Sequence, residues 1–261
     1  MTFWDHLEAL RWVILRSVIA LFVAMIAVFP FVPWIFDNII LAPADSDFIL
    51  YRFFDKISAI YTILPGGSDK PVSINIINYQ LSSQFFTHMT ISMWLAFMIT
   101  APYVIFEIWK FVCPALYSNE RKKLRPLFLF GSLMFYIGWT VGYFVIFPLT
   151  LRFLYTYQLS ATIVNQLSLQ SYMDNFMLLT FTMGLMFELP ILSIVAGRLG
   201  IISRDLFRQY RRHAIVAILV IAAIITPTTD PFTLFAVFFP IYILWEISAF
   251  IVPDYKQESN G

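Results

Sequence analysis

Apolar side chains run in long blocks along the chain, and the charged residues mark where each block ends. The uncharged run between Arg16 and Asp37 has the length of about 20 residues that a helix needs to cross about 30 Å of hydrocarbon. After Lys70 no charge appears until Glu107, and the stretch PVSINIINYQLSSQ is polar, which places a second span near 86–109. A third charge-free run lies between Arg125 and Arg152, with Pro148 close to its end. A fourth carries one charge, Glu188. Two short apolar runs follow, 214–229 and 231–245, separated by the turn-like TPTTDP at 226–231. The pattern predicts an all-α polytopic membrane protein of six spans near 16–36, 86–109, 126–150, 174–197, 213–229 and 231–252, forming a single integral membrane domain over 1–261. The last two are expected to be short, because about 16 residues reach only about 24 Å. Such a pair thins the bilayer or forms a re-entrant hairpin, and both options return the chain to the side it left.

Between the blocks the periodicity changes. Residues 2–15, TFWDHLEALRWVIL, alternate at helical spacing, with Trp4, Leu7 and Ile14 on one face. Thr2 and Asp5 fit a capping box, so this segment is expected to lie along the interface before turning into the first span. The segment 37–85 is the largest piece outside the spans, and DFILYRFFDKISAIYTIL within it predicts short amphipathic helices, broken at Gly66-Gly67. Ala42-Pro43-Ala44 has the spacing of a signal-peptide cleavage site, but the apolar stretch before it exceeds the usual 7–15 residues and reads as a retained anchor.

Composition agrees with this picture. The chain of 261 residues is 60% hydrophobic and 13% charged, against about 45–50% and about 25% in soluble domains, and its mean hydropathy is +0.77. One cysteine, Cys113, excludes a disulfide scaffold. The 17 basic and 16 acidic residues cancel in sum but not in place. With the N-terminus inside, 13 of the 17 Lys and Arg fall on that side, concentrated at Arg11 and Arg16, within 110–125 and within 198–212. The opposite side keeps Arg52, Lys56, Lys70 and Arg152, so both termini are expected in the cytoplasm.

Catalytic templates are missing: there is no Walker loop, no G-x-S-x-G, no H-E-x-x-H and no Cys/His cluster, so neither an enzyme nor a metal or cofactor site is expected. His6, His88 and His213 sit near span boundaries, where histidine is commonplace. Glu188 stands apart, because an acid at bilayer depth costs about 3 kcal/mol on insertion scales and normally faces protein or water. Intramembrane ionisable groups are functional by default; the competing reading is a Glu hydrogen-bonded to a neighbouring helix, with Pro190 loosening the backbone beside it. Glu107 and Glu246 lie nearer the ends of their helices, where water is expected to reach them. Glu120 in PALYSNERKK reads, on physics alone, as a solvated partner of Lys123, and the basic cluster around it suits anionic lipids.

Several segments together resemble the twin-arginine translocase C subunit (TatC) family. They are HLEALR at 6–11, LAP at 41–43, FVCPALYSNER at 111–121, GWTVGYFVIFPLTLRFL at 138–154, FELP at 187–190, and TPTTDPFT with Pro240 and Glu246. The resemblance implies a receptor subunit that binds twin-arginine signal peptides of folded precursors and assembles, as an oligomer, with single-span subunits of the TatA/TatB type. Transport is then powered by the proton-motive force in a bacterial inner membrane, with no nucleic acid involved. It assigns signal-peptide binding to Glu120, Arg121 and Phe111, and to an N-terminal acid. The family reads His-Leu-x-Glu-Leu-Arg, which puts that acid where this chain has Ala9; Glu8 is adjacent, rotated by about 100° on a helix. Partner docking or transport is assigned to Glu188, Asp230 and Pro43, while Leu234 stands where a polar residue often follows Asp230. The alternative is an ion-coupled small-molecule transporter using Glu188, which usually shows paired repeats with matched broken helices. Only the C-terminal pair of spans is short, with no counterpart in the first half. A purely structural assembly factor is a third class that the residues leave open.

Overall fold

Proline and glycine decide where the apolar blocks bend. A computed structural model of the protein describes residues 3–56, 74–112, 124–160, 162, 165–198, 200–226 and 230–252. The chain is predominantly helical, with five helical runs long and apolar enough to cross a membrane: Leu7–Arg52, Ser83–Ile108, Leu129–Thr156, Leu169–Arg198 and Pro231–Ile251. Contacts group it into two compact units, Met1–Ser132 with Tyr155–Met177, and Leu133–Leu154 with Leu178–Gly261.

In the first unit, helix α1 (Phe3–Val28) packs on α4 (Ser83–Val112). The expected bend between an interfacial segment and the first span is absent. No proline or glycine occurs between Phe3 and Val28, so nothing interrupts the helix; Thr2 of the expected capping box lies outside the described residues. A half-buried stripe of Ala9, Val13, Ser17, Ala20, Ala24 and Val28 runs along α1 at spacings of three and four. Its small side chains let the two helices approach closely, the device that holds helices together in lipid. The pair is antiparallel, because Arg16 meets Glu107 at one end while the ring of Phe29 stacks on His88 at 4.2 Å at the other. His88 Nε2 also lies 3.0 Å from the Phe29 carbonyl.

Beyond Val28 come Pro30, Pro33 and Pro43, and the helix continues only as short turns. A 3-10 turn (Phe29–Phe31), helix α2 (Val32–Ile35), a π turn (Phe36–Ile40) and a second 3-10 turn (Ala42–Ala44) follow one another. Proline interrupts the helical ladder here, and side chains bond several carbonyls of the turns. Asn38 Nδ2 donates to the Trp34 carbonyl at 2.8 Å, the Tyr51 hydroxyl to that of Pro43 at 3.0 Å, and the Tyr172 hydroxyl to that of Ile40.

Helix α3 (Ile49–Lys56) realises part of the expected amphipathic segment: Phe48 and Tyr51 are buried, while Asp47 accepts from Arg52 Nε at 2.9 Å on the exposed side. The rest of that segment, including Gly66 and Gly67, lies outside the described residues. A short parallel pairing joins β1 (Ile76–Ile77) to β2 (Leu167–Ser168), supported by a 2.9 Å hydrogen bond from the Tyr79 hydroxyl to Gln166 Oε1. Two-residue strands carry no period that a sequence reading can register, so the all-α expectation missed them.

In the second unit the third span is helix α5 (Leu124–Val141, entering this unit at Leu133), a π turn (Gly142–Ile146) and helix α6 (Phe147–Thr156, within the unit to Leu154). Pro148 cannot donate to the Phe144 carbonyl, and the widened turn spans that residue. The fourth span is two helices, α7 (Leu169–Met186) and α8 (Leu189–Arg198), parted by a turn at Phe187 and Glu188. Gly138 and Gly142, four apart on one face, bring the third span against the backbone of the fourth. A Cβ at Gly138 would stand 2.6 Å from both the Met183 carbonyl oxygen and Phe187 Cβ, and one at Gly142 would stand 2.9 Å from Thr180 Cα.

Helix α9 (Arg204–Gln209) begins at Ser203, whose hydroxyl accepts from the Leu206 amide. Helix α10 (Arg211–Ile225) covers 15 residues, about 22 Å, and is as short as expected of the fifth span. Helix α11 (Pro231–Ile251), 21 residues and about 31 Å, fills the expected span 231–252 and is not short, because it runs past the apolar stretch 231–245. The charge on Glu246 ended the apolar run in the sequence, but it does not end the helix, because Arg211 Nε pairs with Glu246 Oε1 at 2.7 Å. Val237, Ile241, Leu244 and Ser248 form the buried stripe of α11, which packs on α8 and α10.

Because the new Cβ meets backbone rather than a flexible tip, Gly138→Ala should lower stability by about 1–3 kcal/mol. Thr140→Ala, on the exposed face of the same helix, should leave it unchanged. Thermal midpoints of the purified proteins in one detergent compare the two; equal midpoints for Gly138→Ala and the parent would refute the close crossing.

Candidate functional site

Pro190 explains the break in the fourth span. It lacks the amide that would bond to Met186 and its ring crowds that turn, so the chain closes one helix and restarts another. The Glu188 amide donates to the Leu185 carbonyl at 3.1 Å, and the Glu188 carbonyl accepts from Ile191 at 3.1 Å and Leu192 at 3.0 Å. Glu188 thus stands at the head of α8, with its backbone satisfied. Its side chain is not: Oε1 is buried and has no hydrogen-bond partner among the described residues. Gly138 of the third span leaves the room that Phe187, next to it, occupies. Of the two readings of this acid, hydrogen bonding to a neighbouring helix finds no support at Oε1. A buried acceptor left open costs about 1–3 kcal/mol.

Asp230 is the cap of α11. Its Oδ1 accepts from the Thr233 amide at 2.7 Å and Pro231 occupies the first helical turn. Asp230 Oδ2 and Thr233 Oγ1 are buried without a partner among the described residues. Thr233 escaped the sequence reading, which looked to Leu234 for a polar neighbour; its signal was the T of the DPFT cap.

The first unit holds the remaining candidates. Glu8 is exposed on α1, whereas Ala9 belongs to the half-buried stripe, so the one-residue shift turns the acid toward the open side of the helix. Phe111 is half-buried at the end of α4. Because α1 and α4 are antiparallel, the start of one and the end of the other lie at the same end of the pair, and the fold brings Glu8 and Phe111 to that end. Glu120 and Arg121 lie outside the described residues. Pro43 is buried in its 3-10 turn, and its carbonyl is taken by Tyr51.

Glu107, for which water access was expected, is instead 4% exposed, with Oε2 3.6 Å from Arg16 Nη1. The sequence held both residues but no sign that they meet, since 91 positions separate them. Among the described residues no cluster of His, Cys, Asp and Glu is placed to hold a metal ion.

The family model for Sec-independent protein translocase protein (TatC) matches residues 5–240. The chain is 33% identical over 256 residues to the Sec-independent protein translocase protein TatC of Blattabacterium sp. subsp. Periplaneta americana, covering 96% of this chain and 94% of that one. Its identity to the protein of that name from Escherichia coli K12 is 31% over 198 residues, covering 76% and 74% of the two chains. The fold is similar to a crystal structure of a twin arginine translocase receptor, TatC, with a TM-score of 0.74 at 29% identity, covering 94% of this chain and 97% of that one. A second structure of that receptor, in DDM, gives a TM-score of 0.76 at 28% identity, covering 95% and 99%. With a family match over most of its length and a common fold, the chain belongs to the TatC family of Sec-independent protein translocase proteins.

Proposed function

We propose that this chain is the receptor core of a twin-arginine protein translocase, a non-enzymatic subunit that binds twin-arginine signal peptides and recruits partners for export of folded proteins. The observation that carries the reading is the likeness, across nearly the whole chain, to a structure described as a twin arginine translocase receptor. The signal peptide offers two adjacent guanidinium groups, planar forks of donors that carboxylates accept in paired, charge-assisted bonds. Glu120 is the principal acceptor and Glu8 the second, on the exposed side of α1. Phe111 supplies an apolar and π contact beside them, with Arg121 next to Glu120. The site faces the cytoplasm, where the basic loops hold both termini of a six-span, single-domain chain in a bacterial inner membrane.

Glu188 recruits. Its buried, unpartnered oxygen suits a polar side chain presented by a single-span subunit of the TatA/TatB type, because such a bond is made in a medium where water does not compete. Asp230 and Pro43 mark further docking positions at the turns that end the spans. The complex works as an oligomer among membrane lipids and draws on the proton-motive force.

One observation favours the ion-coupled transporter: a broken helix bearing an open acid is the device such proteins use. That reading predicts a solute-uptake defect, and no export defect, when Glu188 is replaced.

Glu120→Ala should abolish photocrosslinking to a twin-arginine signal peptide at unchanged protein level; normal crosslinking removes Glu120 from the site. Glu8→Ala should reduce the same crosslink, and adding Ala9→Glu should restore it. A Glu8→Ala variant that crosslinks like the parent shows that the shifted acid is no substitute. Glu188→Ala should keep signal-peptide crosslinking while losing co-purification of single-span partners. Loss of both together would make Glu188 a folding residue.

A further inference from the structure

A charged pair is buried on one side between the two helices that carry Glu8 and Phe111. Glu107, on α4, has 5% of its side chain exposed, whereas Arg16, on α1, has 48%. Their closest approach is 3.6 Å, and Glu107 Oε2 accepts no hydrogen bond among the described residues. The guanidinium therefore compensates the carboxylate mainly by charge. The geometry is one-sided: Arg16 can leave toward the open face, but Glu107 cannot, so losing Arg16 strands a carboxylate between two helices. Removing one member of such a pair is costlier than removing both.

The pair lies next to the proposed receptor site on both helices. Phe111 follows Glu107 by one turn, and Glu8 precedes Arg16 by a little over two turns. The rest of the α1 stripe is Ala, Val and Ser, which pack closely but discriminate weakly between one register and the next, since small side chains offer few distinct knobs. At the far end Phe29 and His88 hold the pair together. Toward the other end, the contact that pairs opposite charges is Arg16 with Glu107.

We propose that the Arg16–Glu107 ion pair is a positioning clamp that fixes the register of α1 against α4 and thereby sets Glu8 relative to Phe111 for the incoming signal peptide. The two residues touch no substrate; they act through the helices they join. This rests on the receptor reading above, and it adds a reason for the exposed Glu8 to be usable. With α1 locked, an acid one position away from the family's site still meets the peptide at a fixed distance from the aromatic.

The test uses the full chain in lipid nanodiscs, with Cys113→Ser and spin labels at Leu7→Cys and Lys110→Cys, both exposed and outside the proposed contacts. Interlabel distances are measured by pulsed EPR. Separately, the affinity of a synthetic twin-arginine signal peptide is measured on unlabelled protein. The parent and Arg16→Lys should give one narrow distance distribution and the same affinity. Arg16→Gln should broaden or shift the distribution and weaken peptide binding about tenfold. The double variant Arg16→Gln, Glu107→Gln should recover much of both, because the stranded charge is gone. A merely structural pair would lower the thermal midpoint of Arg16→Gln without changing the affinity of the folded fraction. That outcome, or an unchanged distance distribution in Arg16→Gln, overturns the clamp. If the parent itself fails to distinguish the twin-arginine peptide from its twin-lysine version, the receptor reading fails; the distance distributions still decide whether the pair sets the register.

Discussion

A backbone amide or carbonyl inside hydrocarbon must find its partner within the protein, since no water is there to supply one. That constraint shapes each irregular stretch of this chain. Where prolines end α1, side chains of Asn38, Tyr51 and Tyr172 take the carbonyls that the helix gives up. Where Pro148 follows the third span's glycines, the turn widens rather than opens. Where Pro190 splits the fourth span, the Glu188 amide and carbonyl are both used. At these breaks the backbone finds partners, whereas several buried side-chain atoms find none among the described residues, those of Glu188, Asp230, Thr233 and Glu107 among them.

The second consequence of a lipid environment is that apolar area alone does not hold helices together, so close fit and a few polar contacts must do it. The second unit uses close fit, with Gly138 and Gly142 letting the third span touch backbone across the crossing. The first unit uses the small-residue stripe of α1 and adds two polar or ring contacts along it, Arg16 on Glu107 and Phe29 on His88. Glu246 follows the same logic, joined to Arg211 between α10 and α11. Charged groups near the spans thus divide into those spent on joining helices and those left open, and the latter are the functional candidates.

Much of this was legible in the residues, and the boundary of legibility is physical. Charge placement marked five of the six expected spans where a helical run is long and apolar enough to cross a membrane, the fifth, at 213–229, being the exception, and it singled out Glu188 because a bilayer tolerates few charges. It ended the last apolar stretch at Glu246 and left Glu107 in water, because a charge reads as an end until its partner is known. Arg211 lies 35 positions from Glu246, and Arg16 lies farther still from Glu107, so neither pairing has a local signature. GWTVG did carry one, the spacing of four between glycines, and it was read only as a family segment. The chain's start looked amphipathic and therefore separate from the first span, yet without a helix breaker the two are one helix. Glu120 gained its standing from family resemblance, since an acid beside Arg121, Lys122 and Lys123 in the sequence carries no physical mark of its own.

Above all, we propose that this chain receives twin-arginine signal peptides and supports their export. The open acids, the antiparallel pair that carries Glu8 and Phe111, and the family fold all lead to it. The most direct measurement is complementation. Bacterial cells lacking their own TatC are given this chain together with its cognate single-span subunits, and export of a folded reporter is followed with a twin-arginine signal and with its twin-lysine version. The account predicts that the twin-arginine reporter reaches the far side of the membrane and the twin-lysine one does not. A correctly inserted chain that exports neither, or both equally, would contradict it.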